Sequence, residues 1–290
     1  MADGMATYVQ FFTFDVIGDL GFDEPFGCLE QSKYHPWIDF TFEALVMGTM
    51  MRAMDYYPLF KRLAMTMVSQ ATLNGFQAHV EYVKKKALHR LIQPEGRTDL
   101  MCKMAAKDSG VSREEFIASA DTVLLGGSET SAALLSGLTY YLLKHPRVLQ
   151  KLVHEIRAKF QREEDIDFAG VNSLDYMLAC IDEAFRLYPP VPGAPLRKTR
   201  EDDVICGRYV PSNVRLPLHC CSHDVLTDLS GLQTIVGICH YAIFRNPEYF
   251  VDVEEFIPER WIGTEGRFAN DKRSVVQPFS FGPRNCIGRK

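Results

Sequence analysis

The chain reads as a mainly α protein with a small β component, and three features carry that expectation. The stretch Arg113 to Lys144 is apolar nearly all round through its middle and opens on a helix-start signal. From Leu174 to Tyr188, apolar residues recur at steps of 4, 3, 4 and 3. Strand-like pieces appear only late, around Asp203 to Pro211 and Thr234 to Phe244. With 290 residues and 47% hydrophobic content, the chain is long enough to bury a sizeable core, as one large domain or two small ones.

The elements follow in chain order. Ala6 to Asp19 and Leu59 to Leu91 favour helix, with Pro58 and Pro94-Glu95-Gly96 as punctuation. Ser112 and Glu115 then have capping-box spacing, and Val111 and Phe116 hold the staple positions just outside and inside the helix. A helix from Arg113 to Lys144 rises 1.5 Å per residue and is roughly 48 Å long. Asp121 and Glu129 interrupt its apolar run, so an interior position explains it better than a membrane span. His145-Pro146 restarts the chain, because proline suits a first helical turn, and Arg147 to Phe160 forms the next helix. The stripe Leu174, Leu178, Ile181, Phe185 and Tyr188 makes a third, ended by Pro189-Pro190.

Charge and cysteine usage exclude several function classes. A net charge of -5 argues against a nucleic-acid partner, and the basic run Lys84 to Lys86 beside Glu81 reads as a solvated helix face. Eight cysteines lie scattered without C-x-x-C spacing, which points to free thiols in a reducing compartment rather than a disulfide framework.

Three constellations have chemical potential. Gly126-Gly127-Ser128-Glu129-Thr130 sits inside the long helix, where each glycine costs about 1 kcal/mol relative to alanine. Two readings stay open: a flat ligand lies close to the backbone while Glu129 and Thr130 deliver protons, or the helix kinks there and Thr130 bonds back one turn. Glu183 and Arg186 lie three apart on the third helix, within reach of each other. The last constellation is Phe279-Ser280-Phe281-Gly282-Pro283-Arg284-Asn285-Cys286-Ile287-Gly288, which puts a cysteine in a glycine-braced loop with an arginine two positions before it.

That loop resembles the cytochrome P-450 family, whose cysteine motif reads F-x-x-G-x-R-x-C-x-G; Phe279, Gly282, Arg284, Cys286 and Gly288 fill its defined places. Glu129 and Thr130 are similar to the family's acid-threonine pair, which follows a small residue and a glycine, here Gly127. Glu183 and Arg186 fit its E-x-x-R element, and Pro258-Glu259-Arg260-Trp261 supplies the arginine that completes the pair. The resemblance implies an α-rich cytochrome P-450 fold, a single partial domain over 1–290, with heme b bound through the thiolate of Cys286. It further implies propionate contacts from Arg284 and Arg197, proton delivery by Glu129 and Thr130, and a brace for the cysteine loop from Glu183, Arg186 and Arg260. The implied activity is a monooxygenase that inserts one oxygen atom of O2 into an apolar small molecule, drawing electrons from NADPH through a reductase. The family members it most resembles are fungal and act in secondary metabolism.

Against the family pattern, the chain begins after the usual membrane anchor and several helices, and stops four residues past Cys286. A full-length form is expected at the endoplasmic reticulum membrane, and the chain as written in the cytoplasm. Val214 to Gln233 is extra. A metal site on His219, Cys220, Cys221 and His223 matches no common zinc spacing. A translated intron fits better, since a valine codon begins GT, as a donor site does, and the glutamine codon CAG matches an acceptor. Two alternatives to monooxygenation follow from the same resemblance: a catalytically inactive truncated member, and a heme-thiolate isomerase or dehydratase that needs no reductase.

Overall fold

The computed structural model describes residues 2–33, 46–47, 49–51, 53–54, 57–66, 70–92, 100–106, 109–199, 201–211, 219–220, 223–224, 235–263 and 265–289. Its helices are α1 (Ala2–Phe22), α2 (Cys28–Gln31), α3 (Pro58–Thr66), α4 (Gln70–Ile92), α5 (Cys102–Ala105), α6 (Arg113–Lys144), α7 (Pro146–Lys159), α8 (Phe168–Val171), α9 (Asp175–Leu187) and α10 (His240–Ile243). The chain divides into two compact units, Met1–Ala132 with Asp228–Gly231, and Ala133–Thr227 with Leu232–Lys290.

In the first unit the core gathers Phe11, Phe14 and Ile17 of α1, Val83 and Ala87 of α4, and Phe116, Ala120 and Leu124 of α6. Burying each such side chain contributes about 1.5–3 kcal/mol, which holds three helices whose own propensity is modest. The start of α6 shows why the chain enters the helix there. Ser112 Oγ accepts the Glu115 N–H at 3.2 Å, while the Glu115 carboxylate takes the Ser112 N–H at 2.9 Å, and Val111 packs into the same cluster as Phe116. These bonds to Ser112 also lower the pKa of Glu115. Asp15 on α1 caps α2, accepting the Cys28 and Leu29 amides at 3.0 and 2.8 Å. Lys86 pairs with Glu24 at 2.7 Å and lies over the Phe26 ring.

In the second unit, Val148 and Leu152 of α7 meet Cys180, Ala184 and Leu187 of α9, with Phe256 stacked on Tyr141 of α6 at 5.1 Å. The first turn of α9 has no cap of its own; Glu155 of α7 reaches across and accepts the Tyr176 and Met177 amides at 2.8 and 2.9 Å. That bond fixes α9 against α7, and α9 carries the residues of most functional interest.

Among the described residues the β component is three antiparallel pairs of short strands. Arg197–Lys198 pairs with Ile235–Val236, Asp203–Ile205 with Arg208–Val210, and His219–Cys220 with His223–Asp224. Cys206 and Gly207 turn the second hairpin with φ of 51 and 75, the left-handed geometry that a two-residue turn requires. The strand expected over Thr234 to Phe244 is a strand only at Ile235–Val236 and becomes α10 at His240. His240 and Phe244 lie one helical turn apart and their rings stack at 5.0 Å, a pairing that an extended chain forbids. The stretch Leu59 to Leu91 forms two helices, α3 and α4, with 67–69 outside the described residues.

Candidate functional site

The cysteine loop turns tightly. Ser280 and Gly282 adopt φ of 61 and 85, and Gly282 is the position where a side chain is strained. The Ser280 N–H reaches the Gln277 carbonyl at 2.9 Å, the Asn285 N–H that of Gly282 at 3.1 Å, and the Cys286 N–H that of Phe279 at 2.8 Å. Phe279 anchors the loop on α9, edge-on to Phe185 at 5.2 Å between ring centroids. A methyl group on Gly288 would come 3.7 Å from Cys286 Sγ, an ordinary contact. The thiol of Cys286 is free and exposed, whereas the buried Cys180 has its pKa pushed up to about 12 by desolvation. In the same loop Phe281 and Ile287 are 80% and 90% exposed, and Arg284 is exposed too.

Behind the loop lies a buried ionic cluster. Glu183 receives both Arg186 nitrogens, Nε at 2.9 Å and Nη2 at 2.8 Å, and also Arg260 Nε at 3.0 Å. The Ile257 amide and Trp261 Nε1 complete it at 3.0 and 2.9 Å. Each side chain of this trio is 0% exposed. Arg186 goes on to donate to the carbonyls of Phe244, Val253 and Glu255, so one side chain holds two backbone segments. Charged groups this deep are costly unless paired and hydrogen-bonded, and no side-chain nitrogen or oxygen of Glu183, Arg186 or Arg260 is buried without a partner. Sequence reasoning missed two members, Trp261 and Asp271; the latter ion-pairs Arg260 through Nη1. Asp271 carried no motif signal because its partner lies on a loop, not at helical spacing.

On α6 the two glycines do different things. A methyl group on Gly127 would sit 2.5 Å from Ile17 Cδ1, so this glycine exists for the close approach of α1 and α6. Gly126, where an added methyl meets nothing within 4 Å, is the open position of the pair. Thr130 Oγ1 bonds back to the Gly126 carbonyl at 2.5 Å, as Ser128 does to Leu124 at 2.7 Å. Glu129 Oε1 is buried without a hydrogen-bond partner, and burial raises its pKa from 4.5 to about 7. Glu129 and Thr130 belong to the first unit and the cysteine loop to the second.

Arg197 is exposed and donates to the neighbouring Leu196 carbonyl at 3.1 Å. It borders a mainly apolar cavity of about 660 Å³ within the second unit, with Pro195, His240, Phe244, Ser280 and Phe281 among its walls. Burial lowers the pKa of His240, so that wall is neutral. Most of the expected insertion, 214–233, lies outside the described residues, as do Cys221 and the side chains of His219, Cys220 and His223. Among the described residues no cluster of three or more histidine, cysteine or acidic groups suits a metal ion.

Comparison with known proteins gives this arrangement a family. A cytochrome P-450 profile matches residues 4–225 and 232–290. The cytochrome P-450 monooxygenase astA of Talaromyces wortmannii is 39% identical over 98% of this chain and 54% of its own length. The trichothecene C-15 hydroxylase of Fusarium sporotrichioides is 37% identical over 98% of this chain and 55% of its own. Among solved structures, the heme domain of cytochrome P-450DA superposes with a TM-score of 0.71 at 24% identity, over 99% of this chain and 57% of that one. The chain belongs to the cytochrome P-450 family. It spans about half the length of the curated relatives it matches.

The residues present fit the family's heme. An exposed thiol in a loop that also exposes the apolar Phe281 and Ile287 and the Arg284 guanidinium has the donor chemistry that a flat apolar macrocycle carrying carboxylates requires.

Proposed function

We propose that the chain carries the cysteine-loop half of a monooxygenase that inserts one oxygen atom of O2 into an apolar small molecule of fungal secondary metabolism. The observation that carries this reading is the exposed Cys286 thiol in a loop whose backbone is fixed by Phe279 and Gly282. The names of the relatives support the reaction class, since trichothecene C-15 hydroxylase and averantin hydroxylase are both fungal hydroxylases. Electrons would come from NADPH through cytochrome P-450 reductase, and a full-length form would sit at the endoplasmic reticulum membrane. Among the described residues no helix is long and apolar enough to cross a membrane.

Heme, when bound, supplies dioxygen activation; the rest is the work of this chain's side chains. Cys286 would hold the iron through its sulfur, in a loop shaped by Phe279, Gly282 and Gly288. Arg284 and Arg197 would pair with the propionates. Glu183, Arg186 and Arg260 would brace the segment that carries the loop. Glu129 would hold a proton at a carboxyl that titrates near neutrality and release it toward the oxygen side. Thr130 donates its own proton to the Gly126 carbonyl, which leaves the lone pairs of its oxygen free to accept a hydrogen bond.

Segment 214–233 is proposed as a translated intron on its codon pattern; the family profile passes over 226–231 within it and matches 214–225. Mature transcripts that uniformly encode it would overturn this. The activity is tested with heme-loaded chain, reductase, NADPH and isotopically labelled O2. One labelled oxygen atom per product is the expected result. Turnover of substrate without NADPH would mean an isomerase or dehydratase instead, and failure to bind heme would mean an inactive piece.

A further inference from the structure

The buried ionic cluster counts two arginines, Arg186 and Arg260, but the expected motifs supply one acid, Glu183. Left so, the core would hold an uncompensated positive charge, a state that proteins avoid because desolvating an unpaired ion is very costly. Asp271 supplies the missing charge. Its side chain is 1% exposed; one oxygen pairs with Arg260 Nη1 and the other accepts the Val251 amide at 2.9 Å. Arg260 Nη2 donates to the carbonyls of Val251 and Asp252 at 3.0 and 3.3 Å, so acid and arginine clasp the same backbone segment.

Asp271 also stands where the run to the cysteine loop departs. The next amide, of Lys272, bonds to the Tyr249 carbonyl at 2.8 Å, and the Arg273 amide bonds to Asp271's own carbonyl at 3.0 Å. The run is held again at Phe279, whose ring rests on Phe185 and whose carbonyl takes the Cys286 amide. Two anchors therefore define the segment, one ionic at 271 and one apolar at 279. A shift at the first changes the geometry from which the second departs.

Resting on the heme-thiolate reading above, we propose that Asp271 is a positioning residue: its charge neutralises the buried cluster and fixes the segment 272–289 so that Cys286 is presented to the cofactor. It acts through Arg260 and the backbone, not by touching heme or substrate.

The test compares the parent chain with Asp271→Asn and Asp271→Glu, using far-ultraviolet circular dichroism at low temperature to establish that each is folded. Asp271→Asn keeps an acceptor for the Val251 amide but removes the charge. Its Cys286 amide should exchange hydrogen about tenfold faster, with the amides of α6 unchanged, as expected of a local rather than global opening. In heme-loaded samples, the fraction of bound heme that shows a thiolate-type carbon-monoxide Soret band should fall several-fold, and Asp271→Glu should lie closer to the parent than Asp271→Asn does. Equal exchange and equal bands in parent and Asp271→Asn would overturn the proposal. So would faster exchange spread evenly over both units, or equal defects in the two variants. Should the parent itself bind no heme, the heme-thiolate reading fails, and the exchange comparison still decides the role of Asp271.

Discussion

At the scale of single residues, burial rather than motif membership separates groups with chemistry from those with packing roles. Glu129 is the clearest case, because its carboxyl titrates at about 7 in the fold against 4.5 normally, as a result of burial. The fold therefore binds that proton more tightly than the unfolded chain does. This group's contribution is most favourable below pH 4.5 and is lost as the pH rises to about 7. Glu129→Gln should melt with the parent near pH 4 and above it near pH 8, at pH values about these; melting curves at the two pH values measure this. Gly126 and Gly127 give a contrast in sign. Gly126→Ala meets open space and should raise stability by up to about 1 kcal/mol through helix propensity. Gly127→Ala drives a methyl into Ile17 and should cost about 1–3 kcal/mol as overpacking. Urea denaturation of both variants reads the two signs. The glycine pair was legible in the sequence as an anomaly, but not which glycine served which purpose, since that depends on where α1 passes.

At the scale of elements, what could be read early was what neighbouring residues decide. The capping box at Ser112 and Glu115 gave the start of α6, and the stripe from Leu174 to Tyr188 gave α9 nearly to the residue. The true cap of α9 was invisible, because Glu155 belongs to another helix and no local spacing links it to Tyr176. Glu155→Ala should remove that cap and cost about 1 kcal/mol in chemical denaturation; an unchanged midpoint would mean the bond contributes nothing net. The short α10 was missed for a similar reason. Its register is fixed by the Tyr241 amide bonding to the Pro192 carbonyl, a contact nearly 50 residues distant in sequence.

At the scale of the whole molecule, the motifs named the family, and the fold shows how the second unit converts them into a rigid support. Glu183 joins α9 to the Pro258–Trp261 turn, Arg186 extends the tie to Phe244, Val253 and Glu255, and Asp271 leads into the cysteine run. Breaking a buried ion cluster by removing one partner costs about 3–5 kcal/mol, so Glu183→Ala should unfold the second unit at temperatures the parent withstands. Calorimetry would detect this as an earlier transition, and an unshifted one would show the cluster to be energetically neutral. The Glu183–Arg186 pair could be read from helical spacing, and Arg260 came in through its P-E-R motif. The charge balance could not, because Asp271 meets Arg260 only once the chain has folded. The central claim is that Cys286 is the thiolate ligand, and the reduced carbon-monoxide difference spectrum of heme-loaded chain tests it most directly. The parent and Cys206→Ser, which alters the other exposed cysteine among the described residues, should both show the thiolate-type Soret band, and Cys286→Ser should lack it. A band that survives in Cys286→Ser, or disappears in Cys206→Ser, would contradict the assignment.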